Sequence, residues 1–153
     1  MARAYTAPAP AYTQANTATD VASLATTATT VLEIDELDMN QATATTVANV
    51  SMSVLRFSGA YSVASGGSSG TIAKHLFGDS ASPVTALYNN SVQASAGTSV
   101  TIYADAVNII NGWQKLPAPE DRWSFTISQA FIWRTAAPTA GTYSNSVAYR
   151  ETV

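Results

Sequence analysis

Apolar and polar residues alternate along several stretches of this 153-residue chain, and a period of two is typical of β-strands with one buried face. Residues 48–54 (ANVSMSV) show it plainly, because every even-numbered residue is apolar and every odd-numbered one is asparagine or serine. The apolar parity slips between Leu55 and Phe57, which predicts a β-bulge or an exchange of the buried face at this point.

Two other stretches predict half-buried strands by the same pattern. Residues 29–40 (TTVLEIDELDMN) place two apolar side chains on one face and a mixed set on the other: Leu32 and Ile34 against Val31, Glu33, Asp35 and Leu37. Residues 99–110 (SVTIYADAVNII) place an apolar set inward and a more polar set outward: Val100, Ile102 and Ala104 against Thr101, Tyr103 and Asp105.

The clearest strand prediction covers residues 122–135 (RWSFTISQAFIWRT), where large apolar side chains fall on odd positions: Trp123, Phe125, Ile127, Phe131 and Trp133. Buried against a second sheet, each would contribute about 2 to 3 kcal/mol from its area alone. A last strand in residues 142–151 places its larger side chains on one side: Tyr143, Asn145, Val147 and Tyr149.

Turn signals separate these strands. Residues 65–70 (SGGSSG), the pair Asn111-Gly112, and Pro117 with Pro119 all favour chain reversal, and residues 41–46 (QATATT) predict a further turn. No stretch predicts a helix of more than a few turns. We therefore expect an all-β fold, an antiparallel β-sandwich of jelly-roll kind, as a single domain over residues 19–153.

The N-terminal residues 1–18 lack an amphipathic period and contain Pro8 and Pro10 among alanine, threonine and tyrosine. Proline fixes the backbone near the polyproline II conformation, so the sequence predicts an extended arm that lies on a neighbouring subunit. A loose terminus is the alternative.

Composition narrows the functional classes. Charged residues make up 11% of the chain, against about 25% in typical soluble domains, so threonine, serine, asparagine and alanine must form the surface. The net charge of −3 provides no basic surface for nucleic acid. The chain has no cysteine for disulfides or thiolate metal sites and no apolar run of membrane-spanning length. Its N-terminal residues include an early arginine but no apolar core, so we do not expect a secretory signal.

The residue types of a nucleophilic site occur within residues 70–87, where His75, Asp79 and Ser80 lie close together in the sequence. Triad residues normally come from separate elements, so a single glycine- and proline-flanked loop is a poor frame for them. We expect a structural loop, with Asp79 and Ser80 making local turns. We predict that the chain is not an enzyme, and we assign no catalytic or cofactor-binding residue.

Two other groups of residues are candidate ligand sites. The acidic run in residues 33–38 (EIDELD) has the oxygen ligands that calcium prefers, but alternation on a strand separates its carboxylates, so we assign no metal. The carboxylates would instead discourage wrong pairing of an edge strand. Among the tryptophans, Trp123 matches the buried parity, and Trp113 lies in a turn region and is the surface candidate.

The order of these features resembles that of small virion-associated β proteins of tailed bacteriophages. In that pattern a strand ending in arginine leads to a Gly/Ser-rich loop and a His-Asp-Ser segment, which here are Arg56, residues 66–70, and His75 with Asp79 and Ser80. Three residues separate His75 from Asp79, where the family pattern has them adjacent. The resemblance covers residues 19–134.

The resemblance implies a non-enzymatic structural protein of the virion, made in the host cytoplasm. It would act as a capsid decoration or cement protein, or as another head- or tail-associated component. Its partners would be a phage capsid or tail protein and further copies of itself, with a trimer as the working expectation. The main alternative is a lectin- or adhesin-like module that binds carbohydrate through loop aromatics such as Trp113. A hydrolase using the His75 region is the third hypothesis.

Overall fold

The computed structural model describes residues 2–26, 29–42, 49–108, 110, 112–137 and 140–152. Within these ranges the chain is almost entirely β-structure, and its single helical element is the 3₁₀ turn Pro119–Asp121. The strands are β1 (Arg3–Gln14), β2 (Ala18–Ala25), β3 (Val31–Gln41), β4 (Asn49–Ser62), β5 (Ser68–Ser69), β6 (Ala73–Lys74), β7 (Thr85–Asn90), β8 (Ser95–Asn108), β9 (Trp113–Lys115), β10 (Ser124–Phe125), β11 (Gln129–Ala136) and β12 (Gly141–Thr152). No helix in these ranges is long and apolar enough to cross a membrane.

The strands form two antiparallel sheets that pack face to face. Sheet A has the order β10-β3-β12-β1-β6, with β9 on the same edge of β3 as β10. Sheet B has the order β5-β7-β2-β11-β4-β8. The predicted all-β antiparallel sandwich is confirmed, and the more specific jelly-roll prediction is not confirmed by this strand order.

The main core lies between the two sheets. Tyr5 and Tyr149 stack in sheet A with ring centroids 5.6 Å apart, and Phe131 and Trp133 of sheet B are fully buried against that layer. A smaller apolar cluster covers the opposite face of sheet B, so the central strand β11 is buried on both sides. Its members are Leu55, Phe57, Ala64, Ala94, Ala130 and Ile132.

The predicted parity change in β4 is confirmed. Val54 packs in the main core, whereas Leu55 packs in the cluster on the opposite face of sheet B. The pairing of β4 with β8 shifts at this point, because Val54 is opposite Tyr103 and Leu55 is opposite Thr101. Ile102 is thus an extra residue in β8, the two-against-one arrangement of a β-bulge.

The face assignment of Leu37 in β3 was wrong. Ile34 and Leu37 are both buried in the main core, although simple alternation places them on opposite faces. The pairing with β12 shifts between these residues, where Tyr149 is opposite Ile34 and Ala148 is opposite Glu36. Asp35 is therefore an extra residue, and the bulge turns Leu37 inward.

Residues 122–135 do not form one continuous strand. Phe125 ends β10 in sheet A, and the chain crosses at residues 126–128 to begin β11 in sheet B. Ser128 takes a left-handed backbone conformation with φ of 62°, and Gln129 N–H donates to Thr126 O at 3.1 Å. Phe125 is fully buried, but Ile127 is 52% exposed because it lies in this turn, so its predicted place in the core is corrected.

The separate N-terminal arm over residues 1–18 is not confirmed. Strand β1 is extended, as predicted, but it pairs with β12 along most of its length and with β6 at Tyr5 and Thr6. Pro8 and Pro10 are exposed, and the pairing with β12 is irregular between Ala9 and Tyr12. The missing proline N–H groups are tolerated because that stretch of β1 has no strand on its other side among the described residues.

The predictions for β12 and for Gly112 agree with the structure. The inward residues of β12 are buried as expected: Tyr143, Asn145, Val147 and Tyr149. Gly112 has φ of 78°, which suits a turn. Asn111 and most of the predicted turn at residues 41–46 lie outside the described residues.

Candidate interaction surface

The His75 segment is an exposed loop fastened to the edge of sheet A. His75 N–H donates to Ala4 O at 3.0 Å, and His75 Nε2 lies 2.7 Å from Thr6 Oγ1. Lys74 Nζ donates to Asp79 O at 2.8 Å. The histidine therefore holds the loop against β1, and the lysine side chain closes the loop by donating to its main chain.

Asp79 and Ser80 take part in this loop through their main chain. Asp79 N–H donates to Leu76 O at 3.1 Å, and Ser80 O accepts from Tyr5 Oη at 3.0 Å. The histidine is hydrogen-bonded to Thr6 rather than to a carboxylate, so the structure does not assemble His75, Asp79 and Ser80 as a triad.

The tip of this loop is apolar and uncovered. Leu76 is 67% exposed and Phe77 is fully exposed, and Gly78 follows them. The bonds of His75 and Asp79 fix the backbone beneath these two side chains, and adjacent exposed apolar side chains on a fixed backbone make this loop tip the candidate contact site. Sequence reasoning missed this pair because it concentrated on the histidine, aspartate and serine around it.

A buried carboxyl group of β12 also holds the chain that follows this loop, through a hydrogen bond to Ser82. Glu151 is fully buried at the end of β12 and accepts a hydrogen bond from Ser82 Oγ, which lies 2.9 Å from Tyr149 Oη. Burial raises the pKa of Glu151 above its usual value of 4.5, and the Ser82 hydrogen bond and Arg3 offset part of that effect. Because this group is inaccessible, it serves to position residues 80–84 rather than to react.

The acidic run on β3 is engaged in pairing within the protein. Asp35 lies between two arginines: Arg150 Nε donates to Oδ2 at 2.9 Å, and Arg122 Nε is 2.8 Å from Oδ1 without hydrogen-bond alignment. Asp38 accepts from Asn40 at 2.9 Å. Strand β3 pairs on both sides, so its carboxylates do not guard a free edge as the sequence predicted. Among the described residues, no group of three or more such side chains could hold a metal ion.

Trp113 and Trp123 pack against aromatic residues of sheet B. Trp113 on β9 is half-buried, with its ring centroid 5.8 Å from that of Trp133 and 6.3 Å from that of Tyr103. Trp123 is also half-buried and lies 5.4 Å from Tyr103. The Trp113 ring therefore packs against other aromatics and is not a free stacking surface in the turn region.

Tyr103 connects this aromatic group to the edge of sheet B. Its hydroxyl donates to Asp105 Oδ2 at 2.6 Å, and Lys115 Nζ lies 4.9 Å from its ring centroid. Burial, with the hydrogen bond and charge of Asp105, raises the pKa of Tyr103 to about 12. The same hydrogen bond lowers the pKa of Asp105. These contacts hold the inner side of β8 in place.

The other side of β8 is open. In the described part of the chain this 14-residue strand pairs only with β4, and it is the last strand of sheet B. Residues 95–101 are exposed throughout, and Val100, predicted to be buried, is 52% exposed. Alternation indicated a strand correctly but gave no sign that the strand lies at an edge.

A buried ion pair stabilises the outer face of the same sheet. Asp20 is fully buried and accepts two hydrogen bonds from Arg134, at 2.6 and 3.1 Å, and one from Ala94 N–H at 2.6 Å. The carboxylate thus joins β2 and β11 to the loop before β8. Its polar atoms are used within the fold, so we assign it a structural role.

Comparison with protein-family models, with curated proteins and with solved structures finds no match to this chain. The resemblance to bacteriophage virion proteins therefore rests on the sequence features given above and stays a prediction.

Proposed function

We propose that this chain is a non-enzymatic structural component of a bacteriophage virion that acts through protein–protein contacts. It binds a capsid or tail protein and further copies of itself, as a capsid decoration or other head- or tail-associated protein. The observation that carries the proposal is the apolar loop tip, where Phe77 is fully exposed and Leu76 is 67% exposed.

The loop tip is suited to binding a protein because the fold holds it in place. Main-chain bonds to Ala4 and within residues 76–79 fix the loop, so little conformational entropy remains to be lost on contact. Burying the two side chains in a partner would contribute about 1.5 to 3 kcal/mol each. The partner therefore presents an apolar pocket large enough for a phenyl ring.

The bacteriophage assignment is supported by the resemblance, in which this same segment, with His75, Asp79 and Ser80, is one of the matching features. The scarcity of charge, 11% of residues, is consistent with subunits that associate by apolar burial and strand pairing rather than by ion pairs. His75 bonds to β1, and Lys74 Nζ bonds within the loop to Asp79 O, which supports a structural role for the segment.

Two measurements test this proposal. Mass spectrometry of purified particles from the genome that encodes the chain will find it in fixed proportion to a major structural protein. Phe77→Ser will weaken attachment of the purified protein to particles lacking it, whereas Ile127→Ser, which alters a 52% exposed residue in another turn, will not. Particles that lack the chain, or equal attachment of the two variants, would contradict the proposal.

The carbohydrate-binding module is the competing proposal, and it places the site at Trp113. Trp113 keeps part of its surface exposed while its ring packs against Trp133. A glycan that binds the wild-type protein and is lost in a folded Trp113→Ala variant would favour it. Glycan binding that is unaffected by this substitution, or no binding, would remove that support.

A further inference from the structure

We propose that strand β8 pairs antiparallel with β8 of a second copy of the chain, about a two-fold axis at Thr101, so that the two copies of sheet B become one continuous sheet. The inference deepens the proposed function, because it assigns a surface to the contact between copies. It is independent of the loop tip at Phe77, which we assign to the capsid or tail partner.

The free edge of β8 has strong pairing capacity. Every second residue of an edge strand directs its main-chain N–H and C=O away from the neighbouring strand. Natural edge strands are usually short, or they are protected by charged residues, proline or bulges, and the bulge at Ile102 is the feature of this kind in the central part of β8. Strand β8 has 14 residues, no proline and only one charged residue, Asp105.

The central run of β8 needs a specific partner. Residues 98–104 (TSVTIYA) are uncharged and rich in β-branched and aromatic side chains, which is the composition of segments that aggregate when left exposed. Left-handed backbone at Ala96 and Gly97, with φ of 58° and 61°, ends the regular run on one side. A closed pairing between two copies would protect this run without open-ended growth.

The run complements itself when it is centred on Thr101. In this register Val100 lies opposite Ile102 of the second copy, so two apolar side chains meet on each side of the axis. Val100 is 52% exposed, and Ile102 is the bulged residue that lacks a partner on β4. The second copy therefore supplies the cross-strand neighbour that Ile102 does not have within its own chain.

Charge selects this arrangement over the alternatives. Because Ile102 is an extra residue in each copy, Asp105 lies opposite Thr98, and the two Asp105 residues are about 20 Å apart along the strands. That distance exceeds the Debye length of about 8 Å at physiological salt, so their repulsion is screened. A parallel in-register pairing, or an antiparallel one centred on residue 105, would place the two carboxylates side by side.

The absence of cysteine from the chain allows a direct test by single-cysteine cross-linking. Thr101→Cys will form a disulfide with itself, because Cα atoms of opposed residues lie within the range of about 4.4 to 6.8 Å that a disulfide requires. Ser99→Cys and Ala104→Cys will not cross-link alone, but their mixture will, since the extra residue at Ile102 in each copy brings these two positions opposite each other. Val92→Cys, exposed and outside β8, is the control and will stay uncross-linked.

Association is measured in parallel by sedimentation equilibrium of the full chain. The wild-type protein will dimerise, and Val100→Lys will weaken the dimer about tenfold or more, because a charge is placed against Ile102. Ile127→Lys, at an equally exposed position away from β8, will not. A monomeric wild-type protein, equal effects of the two lysines, or self-cross-linking of Ser99→Cys would overturn the inference.

The outcome is separable from that of the proposed function. A chain that attaches to particles without this cross-linking pattern retains the proposed function and excludes the β8 pairing. A chain that cross-links as described but is missing from particles retains the pairing and excludes the virion role.

Discussion

Replacing Phe125 by alanine tests the packing of the two sheets where the chain crosses from one to the other. The Phe125 ring is fully buried, and its centroid lies 5.5 Å from that of Phe131 in an edge-to-face arrangement. The Arg56 guanidinium carbon lies 5.3 Å from the centroid of the Phe125 ring. Truncating a buried phenylalanine costs about 3 to 5 kcal/mol. Within that total, the aromatic pair contributes about 0.5 to 1.5 kcal/mol and the cation–π contact about 0.5 to 1 kcal/mol.

We therefore expect Phe125→Ala to lower the free energy of unfolding by about 4 kcal/mol, a large part of the 5 to 15 kcal/mol typical of a domain. The assay is urea unfolding followed by tryptophan fluorescence, at one protein concentration so that association does not differ between variants. If the alanine variant does not fold, Phe125→Leu provides a milder change, with an expected loss of about 1 kcal/mol.

The matched control is the same substitution at Phe77, which is fully exposed. Phe77→Ala will change the free energy of unfolding by less than about 0.5 kcal/mol, as is usual for surface substitutions. A loss below about 1 kcal/mol at Phe125, or equal losses at the two positions, would refute the assignment of Phe125 to the core and Phe77 to the surface.

Three further predictions concern buried polar groups. Because burial raises the pKa of Glu151, the folded state binds the carboxyl proton more tightly than the unfolded chain does. The free energy of unfolding therefore falls as the pH rises from about 4.5 through the raised pKa. Glu151→Gln will flatten this part of the pH profile measured by urea unfolding, and parallel profiles for the variant and the wild-type protein would contradict the assignment. Asp20→Asn will lower the free energy of unfolding by about 3 kcal/mol or more, because it leaves the Arg134 guanidinium without its buried carboxylate partner. Chemical denaturation measures this loss, and a value under about 1 kcal/mol would show that the ion pair is dispensable. Asn145 is buried, and its side-chain amide makes no hydrogen bond to a described residue. Asn145→Val will therefore raise the thermal unfolding midpoint and increase the free energy of unfolding by about 1 kcal/mol, and a lower midpoint would contradict this account.

The sequence predicted the sandwich because strand β12 keeps one parity of buried residues along its length, and strand β4 keeps one parity on each side of its predicted change of face. It failed where the backbone changes that parity. The extra residue at Asp35 turns Leu37 inward, and the crossing at residues 126–128 turns Ile127 outward. Such changes depend on pairing with distant strands, which alternation within one segment does not encode.

The interaction surfaces were harder to predict for a related reason. Alternation separates the two faces of a strand but not the centre of a sheet from its edge, so β8 and β4 look alike in the sequence. The exposure of Phe77 was accessible in principle, since Leu76 and Phe77 belong to no periodic segment and are followed by Gly78. Apolar residues that lie outside any alternating segment and next to a glycine are a sequence signal for an exposed loop tip. A search for catalytic or metal-binding residue types does not find this signal.

We propose that the chain acts by occupying defined contact sites on a bacteriophage particle, and add-back to particles produced without its gene tests this proposal most directly. Purified chain is titrated onto such particles, and the bound copies are counted per particle by quantitative mass spectrometry. We predict saturation at a fixed number of copies that is set by the symmetry of the head or tail. Binding that does not saturate, or no binding at all, would contradict the claim.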